Sequence, residues 1–138
     1  MQVIVHTDGG SRGNPGPAGI GVLIEIDGQT PVELAEYIGT ATNNVAEHTA
    51  VLRAIEKLIT LPFSPTQVHF YLDSLLVVEQ LNRRYAIKKA ELRAIASQVW
   101  EKIQPLPYPV RFSHVPRAQN AEADRLVNFA LDRELNQR

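Results

Sequence analysis

Four acidic side chains stand where chemistry is easiest to build: Asp8, Glu47, Asp73 and Asp124. Asp8 closes the apolar run Val3-Ile-Val-His-Thr7, and Asp73 closes Gln67-Val-His-Phe-Tyr-Leu72, so each reads as an acid at the end of a strand. Glu47 follows the cap-type cluster Thr40-Ala-Thr-Asn-Asn44 and falls in the first turn of a helix. Asp124 falls in the first turn of another, just past a cap at Asn120. Only folding can unite residues so far apart, and in an α/β sheet the strand ends and helix starts gather on one edge. Carboxylates crowded there either raise their pKa values or take up cations. With no cysteine and no paired histidines, the donors are hard oxygens, which suit Mg²⁺ or Mn²⁺ and not zinc. Two such ions about 4 Å apart stabilise both the attacking and the leaving oxygen of a phosphoryl displacement. Helix-terminus electrostatics, worth about a few tenths of a kcal/mol, explains any one acid. It does not explain all four.

Asp8 is followed at once by Gly-Gly-Ser-Arg-Gly-Asn-Pro-Gly-Pro-Ala-Gly19. Gly9, Gly10, Gly13, Gly16 and Gly19 allow positive φ and close backbone approach, while Pro15 and Pro17 stiffen the stretch. The expectation is a stiffened glycine loop that offers an acid and bare N–H groups side by side. The alternative is a tight hairpin whose Asp8 only caps a turn.

The remaining elements must carry the acids to one place. Ile20–Ile26 reads as a strand, Asp27-Gly28 as a hairpin turn and Val32–Ile38 as the returning strand. A helix is expected from the Asn43-Asn44 region to about Thr60, with apolar positions Val51, Ala54, Ile55, Leu58 and Ile59 at helical spacing. Gln67–Leu72 is a fourth strand, Leu75–Asn82 a mostly buried helix, and a further helix starts near Ala90. Val110–His114 is a fifth strand, and the last helix carries the stripe Ala123, Leu126, Val127, Ala130 and Leu131. The order β-β-β-α-β-α-α-β-α implies an antiparallel opening, then strands joined in parallel by crossover helices, in one mixed sheet.

At 138 residues a single domain over 1–138 is expected. A 44% hydrophobic and 21% charged composition argues against disorder. No long apolar run or leader is visible, so the chain reads as soluble, cytoplasmic and without a membrane partner. Net charge is −1, so no global positive field announces a nucleic-acid partner. The one local concentration is Arg83, Arg84, Lys88 and Lys89 around Tyr85, either a solvated surface or a basic contact. His6, His69 and His114 fall in predicted strands, and His48 points about 100° around its helix from Glu47, so none is expected to act in chemistry. Trp100 is expected to pack beside Val99 and Ile103.

Thr7-Asp-Gly-Gly-Ser-Arg-Gly-Asn-Pro-Gly-Pro-Ala-Gly19, Thr42-Asn-Asn-Val-Ala-Glu47, Asp73-Ser74 and Pro116-Arg-Ala-Gln-Asn-Ala-Glu-Ala-Asp124 together resemble the type 1 ribonuclease H family, in order and over nearly the whole chain. The resemblance implies a three-layer fold with a five-stranded mixed sheet. It implies cleavage of the RNA strand of RNA–DNA hybrids with two Mg²⁺ ions, or Mn²⁺ as a substitute, leaving 5′-phosphate and 3′-hydroxyl ends. Asp8, Glu47, Asp73 and Asp124 would be the metal-binding catalytic acids, with Asp8 and Asp73 bridging the ions. Gly9, Gly10, Ser11, Asn14, Asn43, Asn44 and Ser74 would touch substrate, and Thr42 with Asn14 would hold a DNA-strand phosphate. Three departures stand out. The segment before the last acid is short and offers Arg117 in place of a loop histidine, and a guanidinium holds phosphate but shuttles protons poorly. Leu75 replaces a polar residue after Asp73-Ser74. The segment from Asn82 to Ala90 is too short for an extra basic helix, which leaves the Arg83–Lys89 cluster as a weak substitute in a monomeric, single-domain form. Two rivals remain open: a module that binds hybrids without cutting, and a related nuclease that also accepts double-stranded RNA.

Overall fold

The computed structural model describes residues 1–137. It contains β1 (Gln2–Ser11), β2 (Gly16–Ile26), β3 (Val32–Ala41), α1 (Asn43–Ile59), β4 (Gln67–Leu72), α2 (Leu75–Leu81), α3 (Ala90–Ile103), β5 (Val110–His114), a 3₁₀ turn (Arg117–Asn120) and α4 (Ala121–Leu135). The strands form one sheet in the order β3-β2-β1-β4-β5. β1, β2 and β3 pair antiparallel, and β1–β4 and β4–β5 pair parallel. This is the mixed five-stranded sheet that the element order implies.

Alternation decides which side each strand residue faces. Val3 and Val5 of β1, Val22 and Ile24 of β2, and Val68, Phe70 and Leu72 of β4 form one core with Val51, Ala54, Ile55 and Leu58 of α1. Leu92, Ala96 and Val99 of α3 close the same cluster from outside. Each large apolar side chain buried there contributes about 1.5–3 kcal/mol. The opposite face receives α4, whose buried stripe is Ala123, Leu126, Val127, Ala130 and Leu131. The sheet therefore lies between α4 on one side and the other helices on the other.

The glycine-rich stretch departs from the expectation of a loop. β1 runs three residues past Asp8, pairing Gly9 with Ile20, Gly10 with Gly19 and Ser11 with Ala18, so Asp8 lies inside the strand opposite Gly21. Only residues 12–15 turn, and within the stretch only Gly13, at φ 95°, has positive φ. The glycines serve close approach instead. A Cβ on Gly9 would sit 2.6 Å from the Glu47 nitrogen and collide with the Ala46 carbonyl. One on Gly21 would sit 2.8 Å from Leu126 Cβ and collide with the Ala123 carbonyl. Absent side chains on the two faces thus let α1 and α4 rest on the sheet beside Asp8.

Other differences are local. α2 is only partly buried, because Leu75 and Leu76 are 51% and 41% exposed while Val77, Val78 and Leu81 turn inward. The segment before α4 forms a 3₁₀ turn, a local i→i+3 geometry that sequence periodicity does not mark. Among the described residues no helix is long and apolar enough to cross a membrane.

Candidate active site

Asp8 comes from β1, Glu47 from one turn into α1, and Asp73 from the residue after β4. Thr42 caps α1 by accepting a hydrogen bond from the Val45 nitrogen at 3.2 Å, which sets where the helix starts and therefore where Glu47 emerges. Ser74 caps α2 in the same way through the Val77 nitrogen, 3.3 Å away, directly after Asp73. Carboxylate oxygens of Asp8, Glu47 and Asp73 come within 4.8 Å of one another. Asp124 stands outside this trio but beside it, and its charge bears on Asp8. All four line one open cleft of about 440 Å³, together with Gly9, Gly10, Ser11 and Asn43.

Asp8 and Glu47 are each only 7% exposed. Burial pushes the Asp8 carboxyl up from 3.8 to about 7, with the charges of Asp73 and Asp124 adding to the rise. Glu47 lies well above its ordinary value for the same first reason, with Asp8 and Asp73 reinforcing it. Its Oε2 is buried without a hydrogen-bond partner. A buried oxygen with nothing to accept from, among oxygen donors that repel one another, is a cation site in its chemistry. A divalent ion would satisfy the oxygen and remove the repulsion together.

The amides expected to touch substrate are organised by each other. The Ser11 backbone N–H and hydroxyl both donate to Asn43 Oδ1, at 2.9 and 3.2 Å. The Asn43 backbone N–H donates to Asn14 Oδ1 at 3.0 Å. Both amide oxygens are thus used within the protein, and the Nδ2 groups remain as donors for a ligand. Asn44 contributes its carbonyl to His48 Nδ1 at 2.8 Å. Asn14, Thr42, Asn43 and Asn44 border a second, smaller recess of about 250 Å³, separate from the acids, and Lys89 borders it too.

The other basic residues divide. Arg117, with its side chain 82% exposed, reaches Asp124 Oδ1 at 3.8 Å and lines the acidic cleft. Arg83 lies 4.0 Å over the Trp100 ring, and Arg84 pairs with Glu79 at 2.8 Å. Lys88 is exposed and lines neither recess. The structure therefore splits the basic segment, leaving Lys89 at the amide recess and turning the arginines elsewhere. Trp100 packs against the core as expected and also donates its indole N–H to the Leu81 carbonyl at 3.0 Å. The histidines stay out of the cleft, and His48 is fully buried in α1.

Three residues escape sequence reading. Arg12 lines the cleft and is anchored to α4 by Asp132 at 2.6 Å and Asn128 at 3.4 Å. Its signal lies in the helix, where Asp124, Asn128 and Asp132 recur every four residues on one face. Gly21 signals itself only as a glycine inside a strand. Asn120 does not cap α4 with its side chain, contrary to expectation. It is 1% exposed and its amide Nδ2 donates to the Thr7 carbonyl at 2.8 Å, a long-range bond no local pattern announces.

The fold recurs in known proteins. A family model described as reverse transcriptase-like matches residues 6–130. A bifunctional protein of Mycobacterium tuberculosis is 38% identical over 141 residues, and the match covers 96% of this chain but 36% of that protein. A ribonuclease HI of Halobacterium salinarum is 39% identical over 132 residues, covering 95% of this chain and 65% of the relative. The chain thus spans roughly one to two thirds of the length of these relatives. The crystal structure of LC11-RNase H1 in complex with RNA/DNA hybrid superposes with a TM-score of 0.89 at 40% identity, covering 96% of this chain and 99% of that one. With the sheet order, the acid cluster and these likenesses in agreement, the chain belongs to the type 1 ribonuclease H family.

Proposed function

We propose that this chain is an endoribonuclease that hydrolyses the RNA strand of RNA–DNA hybrids, leaving 5′-phosphate and 3′-hydroxyl ends. The observation that carries the reading is the meeting of Asp8, Glu47 and Asp73 within 4.8 Å in an open cleft, with Asp124 alongside. Asp8, Glu47, Asp73 and Asp124 would hold two divalent cations, Mg²⁺ by preference and Mn²⁺ as a substitute. When bound, such ions supply Lewis acidity that generates the attacking hydroxide and neutralises the departing oxygen.

The chain's own residues do the rest. The raised carboxyls of Asp8 and Glu47 release protons as they take up positive charge, so loading is favoured by rising pH. The Nδ2 donors of Asn43 and Asn14 and the backbone at Gly10 present hydrogen-bonding groups of the size that meets 2′-hydroxyls across a wide minor groove. A deoxy strand offers no such hydroxyl, which distinguishes the strand to be cut. Thr42, Asn14 and Lys89 border a recess for a phosphate of the uncut strand, and Glu91 also lines it. Arg117, exposed and beside Asp124, is placed to hold a phosphate oxygen or the leaving group.

A labelled-duplex panel tests the proposal. RNA–DNA, RNA–RNA and DNA–DNA duplexes are incubated with Mg²⁺ and with EDTA. Cleavage confined to the RNA of the hybrid and requiring Mg²⁺ is expected. Binding without cleavage, or equal cutting of double-stranded RNA, overturns the hybrid-specific reading. A monomeric, cytoplasmic enzyme belongs to the same proposal and is checked by sedimentation and fractionation.

A further inference from the structure

Asn120 is the buried residue of the turn before α4, and both ends of its carboxamide are engaged across the fold. Nδ2 donates to the Thr7 carbonyl at 2.8 Å, and Oδ1 lies 3.2 Å from His6 Nδ1. The carbonyl of Thr7 only accepts, which fixes the amide orientation, so His6 Nδ1 carries the hydrogen and donates to Oδ1. His6 is itself placed from two sides. Its Nε2 lies 3.5 Å from Glu25 Oε1, and its ring stacks on Tyr71 with centroids 5.5 Å apart.

Each partner adjoins an acid of the site. Thr7 precedes Asp8, Tyr71 lies two residues before Asp73 on β4, and Asn120 lies about one helical turn before Asp124. The network therefore joins the three elements that carry Asp8, Asp73 and Asp124. Asp124 needs this most, because its helix starts after a turn with no side-chain cap. Gly21 lets α4 approach the sheet but sets no position along the strand. A directional bond does, because it holds only at one displacement of α4 along β1.

We propose that Asn120 is a positioning residue that holds the Asp124 carboxylate at the distance from Asp8 needed to bind a shared cation. It touches neither the cation nor the substrate. The proposal rests on the cation-binding reading of the acids, but its test needs no cleavage.

Mn²⁺ binding to the substrate-free protein is followed by electron paramagnetic resonance of the free ion. Parent protein is compared with Asn120→Ala, Asn120→Asp, His6→Phe and Leu126→Ala. Leu126→Ala loosens α4 by removing apolar packing and leaves the amide bridge in place. Asn120→Ala and Asn120→Asp, both lacking the donor to Thr7, are expected to weaken the weaker Mn²⁺ site about 10- to 100-fold, the scale for losing a group that orients a ligand. His6→Phe keeps the ring stack, removes one hydrogen bond and is expected to weaken the site by a smaller factor. Leu126→Ala is expected to lower the melting temperature in EDTA without changing Mn²⁺ affinity. With hybrid as substrate, the Asn120 variants should lose kcat at limiting metal, regain it with excess Mn²⁺ and keep KM within about twofold.

Parental Mn²⁺ affinity in Asn120→Asp overturns the proposal, as does an equal loss of affinity in Leu126→Ala. If both Asn120 variants fail to fold, unchanged affinity in His6→Phe overturns it instead. Absence of any Mn²⁺ site in the parent would sink the cation-binding reading itself, and is recognisably a different failure.

Discussion

A carboxyl buried among other carboxyls, like that of Asp8, stores free energy that depends on pH. Its folded-state value of about 7 lies above the ordinary 3.8, so the protonated form favours the fold. That contribution is fully present below about pH 4 and is lost as pH rises through 7. In EDTA, the stability of the parent minus that of Asp8→Asn should therefore fall between pH 4 and pH 7, by a few kcal/mol at most, as measured by urea unfolding at each pH. Added Mg²⁺ above pH 7 should stabilise the parent and not the variant. Asp8→Asn should also lose at least about 100-fold in hybrid cleavage, the scale of removing one group that meets charge in the transition state. A variant that is more stable at neutral pH and nearly inactive shows a fold strained for function. The amides act differently. Asn43→Ala removes an acceptor from Ser11 and a donor from the cleft, so we expect a higher KM for hybrid and a smaller change in kcat, read from steady-state cleavage.

Helices α1 and α4 reach the acid cluster because two strand positions have no Cβ. Gly9 admits the Ala46–Glu47 backbone and Gly21 admits Ala123 and Leu126. An added methyl at either must push a helix backbone, not a flexible tip, so Gly21→Ala should cost about 1–3 kcal/mol or more and lower cleavage with it. Gly28 is the comparison. It has nothing within 4 Å and a φ of +71°, so Gly28→Ala should cost only the left-handed strain of about 1–2 kcal/mol and leave cleavage per folded molecule unchanged. Urea unfolding of both variants with cleavage assays separates the two effects. The glycines were visible in the sequence, but their purpose was not. Five of them in eleven residues, with two prolines, read as a stiffened loop, because glycine permits both positive φ and close packing and local sequence does not say which. The pairing of Gly9, Gly10 and Ser11 with β2 decides for packing.

For the molecule as a whole, net charge is −1, so attraction to a duplex must come from local groups and be screened readily by salt. Lys89 at the amide recess is placed to contribute, whereas Arg84 is paired with Glu79. Lys89→Ala should lower the slope of log affinity against log salt for hybrid by about one, and Arg84→Ala should leave it unchanged, both measured by fluorescence anisotropy.

The sequence by itself determined the element order, helix starts near Asn43–Asn44 and Ala90, and which four acids could matter. Those features follow from period, caps and residue chemistry, all of which act over a few residues. Which acids actually meet was another matter. Asp8, Glu47 and Asp73 close to within 4.8 Å, while Asp124 stands a little apart beside Arg117. Only tertiary structure decided that, because the distances are set by a glycine under each helix and by the Asn120–Thr7 bond across 113 residues. Such contacts link places with no mutual signal along the chain. The division of the basic segment had this origin in part: Trp100, which draws Arg83 away, lies on α3 and only packing brings it alongside, whereas Glu79, which holds Arg84, is a neighbour five residues earlier in the chain.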